Sequence, residues 1–390
     1  MQTLAARMQR LGTESAFDVL ARANKLAADG ADIISLSIGQ PDFPTPPHIV
    51  EAGIKALKDG HHGYTPANGI PKLREAVAAD LYRRHGADVE PDCVVAVPGG
   101  KVTMFFAMLM FGEPGAEIIY PDPGFPIYRS AIEFSGATAV PMPLREENGF
   151  AFSADELLAL ITPKTRLIII NSPANPTGGV TPAEEIDKLA AGLADHPHVH
   201  IMSDEIYSCM LYDGREHRSI LNYPDLRDRA ILLDGWSKTY AMTGWRLGYA
   251  VWPKALVEKA TRLCINDHSC VNAPTQYAGI AALEGPQDAA MEMVKAFDDR
   301  RKATVAALNG LPGVSCVEPG GAFYAFPNIT ETGRTAADLQ DALLNEVHVA
   351  TIAGTSFGIH GEGYIRISYA NSKENILRAI DRIGEFLTRT

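Results

Sequence analysis

Residues 230–249 read AILLDGWSKTYAMTGWRLGY. The run 230–233 is short and apolar throughout, the pattern of a strand buried on both faces, as in a parallel sheet covered by helices. Immediately after it come Gly235 and Ser237, then Lys238, and eight positions later Arg246. The loop leaving a buried strand thus carries an amine and a permanent cation into one place. A lysine alone reads as a solvated surface group. Held out of water beside another cation, it loses its proton more readily and becomes a nucleophile able to form an imine.

Outward from this stretch the same kind of run recurs at 94–97 (VVAV), 117–120 (EIIY), 167–170 (LIII) and 200–202 (HIM), bounded by Gly, Pro or Asn. Helical-looking segments separate most of them, which predicts an α/β fold with a mainly parallel, helix-covered sheet. Such sheets gather ligand-facing groups beyond the carboxyl ends of their strands. After 200–202 come Asp204 and Tyr207; after 167–170 comes NSPANPTGG with Asn175, where Asn-Pro-Thr-Gly is also turn chemistry. After 94–97 come Gly99, Gly100, Lys101 and Val102, leading into an expected helix over 102–111. The first N–H groups of a helix have no intrahelical acceptor and face an anion well. Neither a Gly-x-Gly-x-x-Gly fingerprint nor a Walker lysine is present there.

A chain of 390 residues exceeds the size at which one core stops growing, so two domains are expected. The texture changes near residue 285, beyond which a helix over 291–308, extended segments at 314–317, 322–326 and 364–368, and a helix over 336–346 are expected. The division read from this is a large domain over 46–285 and a smaller α+β domain over 286–390. Residues 1–45 form an arm, with a helix over 17–29 and the start of a Pro-rich loop at 39–47 (GQPDFPTPP), expected to pack with the smaller domain.

Acidic residues outnumber basic ones by 47 to 35, a net charge of −12, and no basic run breaks that balance, so nucleic acid is not an expected partner. The longest apolar stretch, 104–111, is too short to span a bilayer, and residues 1–7 lack the apolar core of a signal peptide, so a cytoplasmic protein is expected. The five cysteines, at 93, 209, 264, 270 and 316, have no metal-binding spacing, and no metal is expected.

Taken in this order, the motifs resemble those of the class I/II aminotransferases, the aspartate-aminotransferase-like family of fold-type I pyridoxal 5'-phosphate (PLP) enzymes, over roughly residues 35–370. The resemblance implies a large PLP-binding domain of the seven-stranded type. It implies Lys238 as the Schiff-base lysine and proton shuttle, and Asp204 as the partner of the pyridine nitrogen, keeping the ring an electron sink. Tyr207 and Asn175 match the groups that hydrogen bond the phenolic oxygen; Lys238, Asp204 and Tyr207 form the implied catalytic set. Gly100, Lys101 and Val102 match the phosphate cup, completed by Ser237 and Arg246, and Phe125 in PDPGFPIY (121–128) matches the ring stacked on the pyridine face.

Arg366 in YIRISY (364–369) matches the arginine that grips the substrate α-carboxylate with its planar fork. Gly39 and Asn175 match groups over the same carboxylate. Tyr64 in GYTPANGIP (63–71) matches a tyrosine that reaches the phosphate of a neighbouring subunit's cofactor, which implies a homodimer with shared sites. GGAFY (320–324) also fits the family's small domain. One position departs from the pattern: Gly235 stands three residues before the lysine, where many relatives carry a phosphate-binding serine.

The implied reaction is ping-pong transamination between an amino acid and a 2-oxo acid. A β-eliminating carbon–sulfur lyase is the alternative on the same scaffold. A PLP-domain regulator ranks lower, because the residues ahead of the first motif are few and not basic. The donor is not legible. A dicarboxylate would need a second cation near its distal carboxylate, and no lysine or arginine is assignable to that task. Phe17, Asn266, His268 and Asn272 lie in segments that approach the substrate side chain in relatives.

Overall fold

The computed structural model describes residues 4–389. Among them β1 (Ile34–Ser35) is followed by the seven strands of a central sheet: β2 (Val94–Val97), β3 (Glu117–Asp122), β4 (Thr138–Pro143), β5 (Thr165–Asn171), β6 (His200–Asp204), β7 (Ala230–Gly235) and β8 (Gly248–Val251). Four short strands follow, β9 (Tyr324–Ala325), β10 (Val349–Ala350), β11 (Ile352–Ala353) and β12 (Ile365–Ser368). The central order is β2-β8-β7-β6-β5-β3-β4, parallel throughout except for β8, which runs antiparallel to both its neighbours.

The apolar runs are continuous because side chains alternate across the sheet and both faces are covered. Val95, Val97, Ile118, Leu167, Ile169, Ile231 and Leu233 pack on one side with Phe106, Ile132 and Ala260, from the helices Lys101–Phe111, Ile127–Ser135 and Lys254–Asp267. Their alternates Val94, Ala96, Ile119, Ile168, Ile170 and Leu232 pack on the other side with Val77, Leu189 and Ala278, from the helices Pro71–His85, Ala183–Gly192 and Ala273–Glu284.

A second core gathers Phe297, Leu308, Leu339, Leu343, Ile376 and Ile380, from the helices Asp288–Leu308, Ala336–Glu346 and Lys373–Arg389, against the antiparallel sheet β11-β12-β9. The N-terminal arm touches both cores. β1 pairs with β10, and Arg22 meets Asp341 at 2.8 Å, whereas the Gly12 N–H donates to Ser130 Oγ at 2.9 Å and Arg10 Nε to the Glu133 carbonyl at 2.7 Å.

The segment 314–317 forms no strand; only Ser315 makes an isolated bridge, to Asn328. The reason is local: the Asn309 side chain accepts from the Cys316 N–H at 2.7 Å and donates to its carbonyl at 3.2 Å, taking the groups a neighbouring strand would use. No helix among the described residues is long and apolar enough to cross a membrane.

Candidate active site

β2, β3, β5, β6 and β7 all end at one edge of the sheet, and β8 begins there, Gly248 lying opposite both Val97 and Gly235. The reversed strand therefore starts where its parallel neighbours finish, and the residues before it join the loops that follow them. A cavity of about 610 Å³ opens at this edge. Gly100 and Lys101 line it after β2, Phe125 after β3, Asn175 after β5, Asp204 and Tyr207 at and beyond the end of β6, Ser237 and Lys238 after β7, and Arg246 before β8. Gly39 and Arg366 complete the wall.

The Lys238 ammonium donates to the Gly39 carbonyl at 2.5 Å and lies 5.9 Å and 5.7 Å from the ring centres of Tyr207 and Phe323. Burial, reinforced by the positive charges of Arg366, Lys101 and Arg246, brings its pKa down to about 8. Such an amine spends a useful fraction of time neutral near physiological pH.

Asp204, the last residue of β6, is 2% exposed. Burial raises its pKa to about 6 although Tyr128 donates to Oδ2 at 2.6 Å and the Ile206 N–H to Oδ1 at 3.3 Å, both favouring the ionised form. Asn171 braces the strand end, donating to the Asp204 carbonyl and accepting from the Asn175 N–H, each at 3.0 Å. The adjacent Glu205 serves a different environment, bonding His217 at 2.7 Å, Ser219 at 3.1 Å and the Ile220 N–H at 3.0 Å. Burial alone would raise Glu205, but His217, His85 and that N–H draw it down to about 2.

Opposite, Arg366 on β12 donates through Nη1 to Asn175 Oδ1 at 3.0 Å and through Nη2 to the Ser37 carbonyl. Its Nε is buried with no partner among the described residues. A guanidinium in this state, 4.8 Å from the ring centres of both Tyr324 and Phe357, is a strong receptor for a carboxylate. At the other end of the cavity the helix Lys101–Phe111 begins. The N–H groups of Val102 and Thr103 turn back to the Gly99 and Gly100 carbonyls at 3.2 and 3.0 Å, leaving those of Gly100 and Lys101 without an acceptor among the described residues. Gly99 has φ +90°, and a Cβ there would stand 2.1 Å from Arg246 Nη2, so only glycine lets the guanidinium lie against this turn.

Residues 31–383 match the family described as aminotransferase class I and II. The chain belongs to that family. An aspartate aminotransferase of Pyrococcus horikoshii is 40% identical over 98% of this chain and 97% of its own length. The crystal structure of an aspartate aminotransferase from Rhizobium meliloti matches with TM-score 0.95 at 33% identity, covering 100% of both chains, and an alanine aminotransferase from Pyrococcus furiosus matches with TM-score 0.93 at 33% identity, over 100% of both.

A class I/II aminotransferase uses PLP and acts on an amino acid and a 2-oxo acid. The residues present in this aminotransferase fit that cofactor: an amine of lowered pKa, a buried carboxylate at a strand end, and an anion cradle of a helix N-terminus with Ser237 and Arg246 beside it.

Two expected site residues stand apart from the cavity of this aminotransferase. Val102 does not line it, its N–H being engaged by Gly99. Tyr64 is 91% exposed and outside it. Of the residues expected near the substrate side chain, Phe17 does line the cavity. Asn272 instead caps the helix Ala273–Glu284 through the Thr275 N–H at 3.0 Å, His268 Nδ1 meets Asp267 at 2.9 Å, and Asn266 donates to the Arg262 carbonyl at 2.8 Å.

Among the lining residues that sequence reasoning missed, four bond expected site residues through their side chains. Tyr128 and Asn171 lie inside stretches singled out for their neighbours, Tyr128 shortly after β3 and Asn171 as the last residue of β5, a signal that was there to use. Tyr324, whose hydroxyl lies 2.8 Å from that of Tyr207, and Glu14, which meets Lys101 at 2.5 Å, come from distant segments.

Proposed function

We propose that Lys238 is the amine through which this aminotransferase works, taking the proton from the substrate α-carbon on Nζ and returning it one position along. The observation that carries this reading is the convergence of Lys238, Asp204 and Arg366 on one cavity, with the lysine pKa drawn down to about 8. Bound PLP supplies an electron-poor ring that stabilises the charge left on the α-carbon when its proton departs.

In this reading Asp204 keeps the pyridine nitrogen protonated, and Tyr128 and Asn171 fix its orientation. Tyr207, held against Tyr324, and Asn175 serve the phenolic oxygen. The N–H groups of Gly100 and Lys101, with Ser237 and Arg246, hold the phosphate, and Phe125 stacks on the ring. Arg366 and Asn175 take the α-carboxylate and Gly39 closes over it, which sets the breaking C–H bond near Lys238. Tyr64, exposed on its own chain, reaches the cofactor phosphate of a second copy in a two-fold homodimer. The division of the chain at residues 45 and 285 belongs to the same proposal; the core around β9, β11 and β12 is built mostly from residues beyond 285 and the central-sheet core mostly from residues before it, which supports it.

The test is a single half-reaction. PLP-loaded protein mixed with alanine, without an acceptor, should release one pyruvate per site and no ammonia, and Lys238→Ala should retain PLP but release none. Ammonia formed together with pyruvate from a cysteine-derived donor would favour the carbon–sulfur lyase instead. A monomer with full activity in sedimentation would remove the shared-site homodimer.

A further inference from the structure

We propose that Glu14 is a specificity-determining residue: by pairing with Lys101 it cancels a cation that a donor's second carboxylate would need, so the site favours amino donors with uncharged side chains over dicarboxylic ones. The inference rests on the transaminase reading above and deepens it.

Four cations line the cavity among the described residues: Lys101, Lys238, Arg246 and Arg366. Lys238 is the reacting amine, Arg246 lies at the glycine turn, and Arg366 faces Asn175 on the α-carboxylate side. Of this chain's own cations, Lys101 is the one left for a side-chain carboxylate. Its ammonium is already occupied, bonding Glu14 Oε2 at 2.5 Å. The rings of Phe17 and Phe125 flank the same ammonium at 5.6 and 5.2 Å. An incoming side chain at this point meets a neutralised pair and two aromatic faces.

Glu14 is held in place by the arm that carries it. It precedes the helix Ser15–Ala28, with Gly12 anchored on Ser130 at 2.9 Å on one side and Ala16 buried, 5% exposed, on the other. Its side chain is only 18% exposed, and its negative charge acts on Lys238 and Arg366 across the cavity. A second carboxylate brought to Lys101 would either share one ammonium with Glu14 or displace it beside a like charge, and like charges at such range oppose binding. An uncharged side chain incurs neither cost. The discrimination is a difference between donors and not a matter of overall affinity.

The experiment measures 2-oxo acid release in half-reactions of the PLP-loaded enzyme with alanine, methionine, phenylalanine, aspartate and glutamate. In parallel, calorimetry measures binding of succinate and butyrate, which cannot react. Methionine and phenylalanine should exceed aspartate by about tenfold in efficiency, a difference typical of one charge contact. Glu14→Gln should raise the aspartate-to-alanine ratio by about tenfold and tighten succinate more than butyrate; Glu14→Ser should do the same. Wild-type preference for aspartate, a ratio unmoved by either variant, or unchanged succinate binding would overturn the inference while leaving transamination intact. No 2-oxo acid from any donor would overturn the transaminase reading, and this inference with it.

Discussion

Arg366 Nη1 and Asn175 Oδ1 lie 3.0 Å apart, so a strand of one core and a loop of the central sheet meet over the cavity through a single hydrogen bond. The remaining donors of the guanidinium, Nε among them, are the fork that a carboxylate can take. Arg366→Lys keeps the charge and loses the fork. KM for the amino donor should rise roughly 10²-fold, the worth of a charge-assisted hydrogen bond, with PLP affinity within a few-fold of wild type. Steady-state kinetics beside a PLP titration checks this; equal losses in both would make Arg366 a structural residue.

Lys238 gives a pH signature. With its pKa at about 8 instead of the ordinary 10.5, the amine is neutral for roughly a tenth of the time at pH 7 and mostly neutral by pH 9. The rate at which apoprotein captures PLP, trapped by borohydride reduction, should rise through pH 8. Arg366→Met, which removes a positive neighbour, should move that midpoint upward. A midpoint above pH 10 in the wild type would show that the pocket does not tune this lysine.

The cluster behind the site governs acid stability. Glu205 sits at about 2, below its ordinary 4.5, so the stability it contributes is present above pH 4.5 and is lost as pH falls through 2. Burial lowers His85 from 6.5 to about 4; the unfolded chain takes that proton first, and stability is again lost as pH falls from 6.5 to 4. Asp204, raised from 3.8 to about 6, works in the opposite sense, its contribution present below pH 3.8 and lost as pH rises through 6. Glu205→Gln should cost roughly 3 kcal/mol at pH 7 and flatten the loss of stability between pH 4.5 and 2. Urea denaturation of the apoprotein across pH measures both.

Gly39 has no room for a side chain: a Cβ would stand 2.0 Å from the Tyr324 hydroxyl. Gly39→Ala should displace the loop whose carbonyl meets Lys238, raising KM for the donor about tenfold, within the range that small misplacements near a reacting centre produce. Adding Tyr324→Phe removes the clashing oxygen and should recover part of the loss. No recovery in the double variant would place the cause elsewhere.

The sites best read from sequence are those that follow a strand buried on both faces. The placement of Asp204 and Lys238 at the cavity was legible because 201–202 and 230–233 are apolar and the ends of their strands mark the ligand edge. β4 was not, since it pairs only with β3 at the sheet edge, carries Pro141 and Pro143, and is largely half-buried, so neither a run nor an alternation is present. The helix Lys373–Arg389 was overlooked although Ile376, Ile380, Ile383 and Phe386 mark one face at helical spacing. Glu14 left no local trace. Its contact with Lys101 depends on how the arm lies across the helix Ile127–Ser135, which no short window of sequence records.

β8, placed between β2 and β7, has a consequence for the order in which the chain becomes competent during synthesis. β2 has no other partner in the sheet, so an early-made strand must wait for one encoded far downstream before it can be fixed. The anion cradle is divided in the same way, Gly99 and Gly100 on one side of that wait and Arg246 on the other. Non-local pairings of this kind form late, after much of the chain has collapsed. On the proposed phosphate contacts, a nascent or truncated chain ending before residue 248 carries every group of the cradle but not the strand that fixes β2 beside them, and cofactor capture would report that the ribosome has delivered nearly two thirds of the protein and that the sheet has closed.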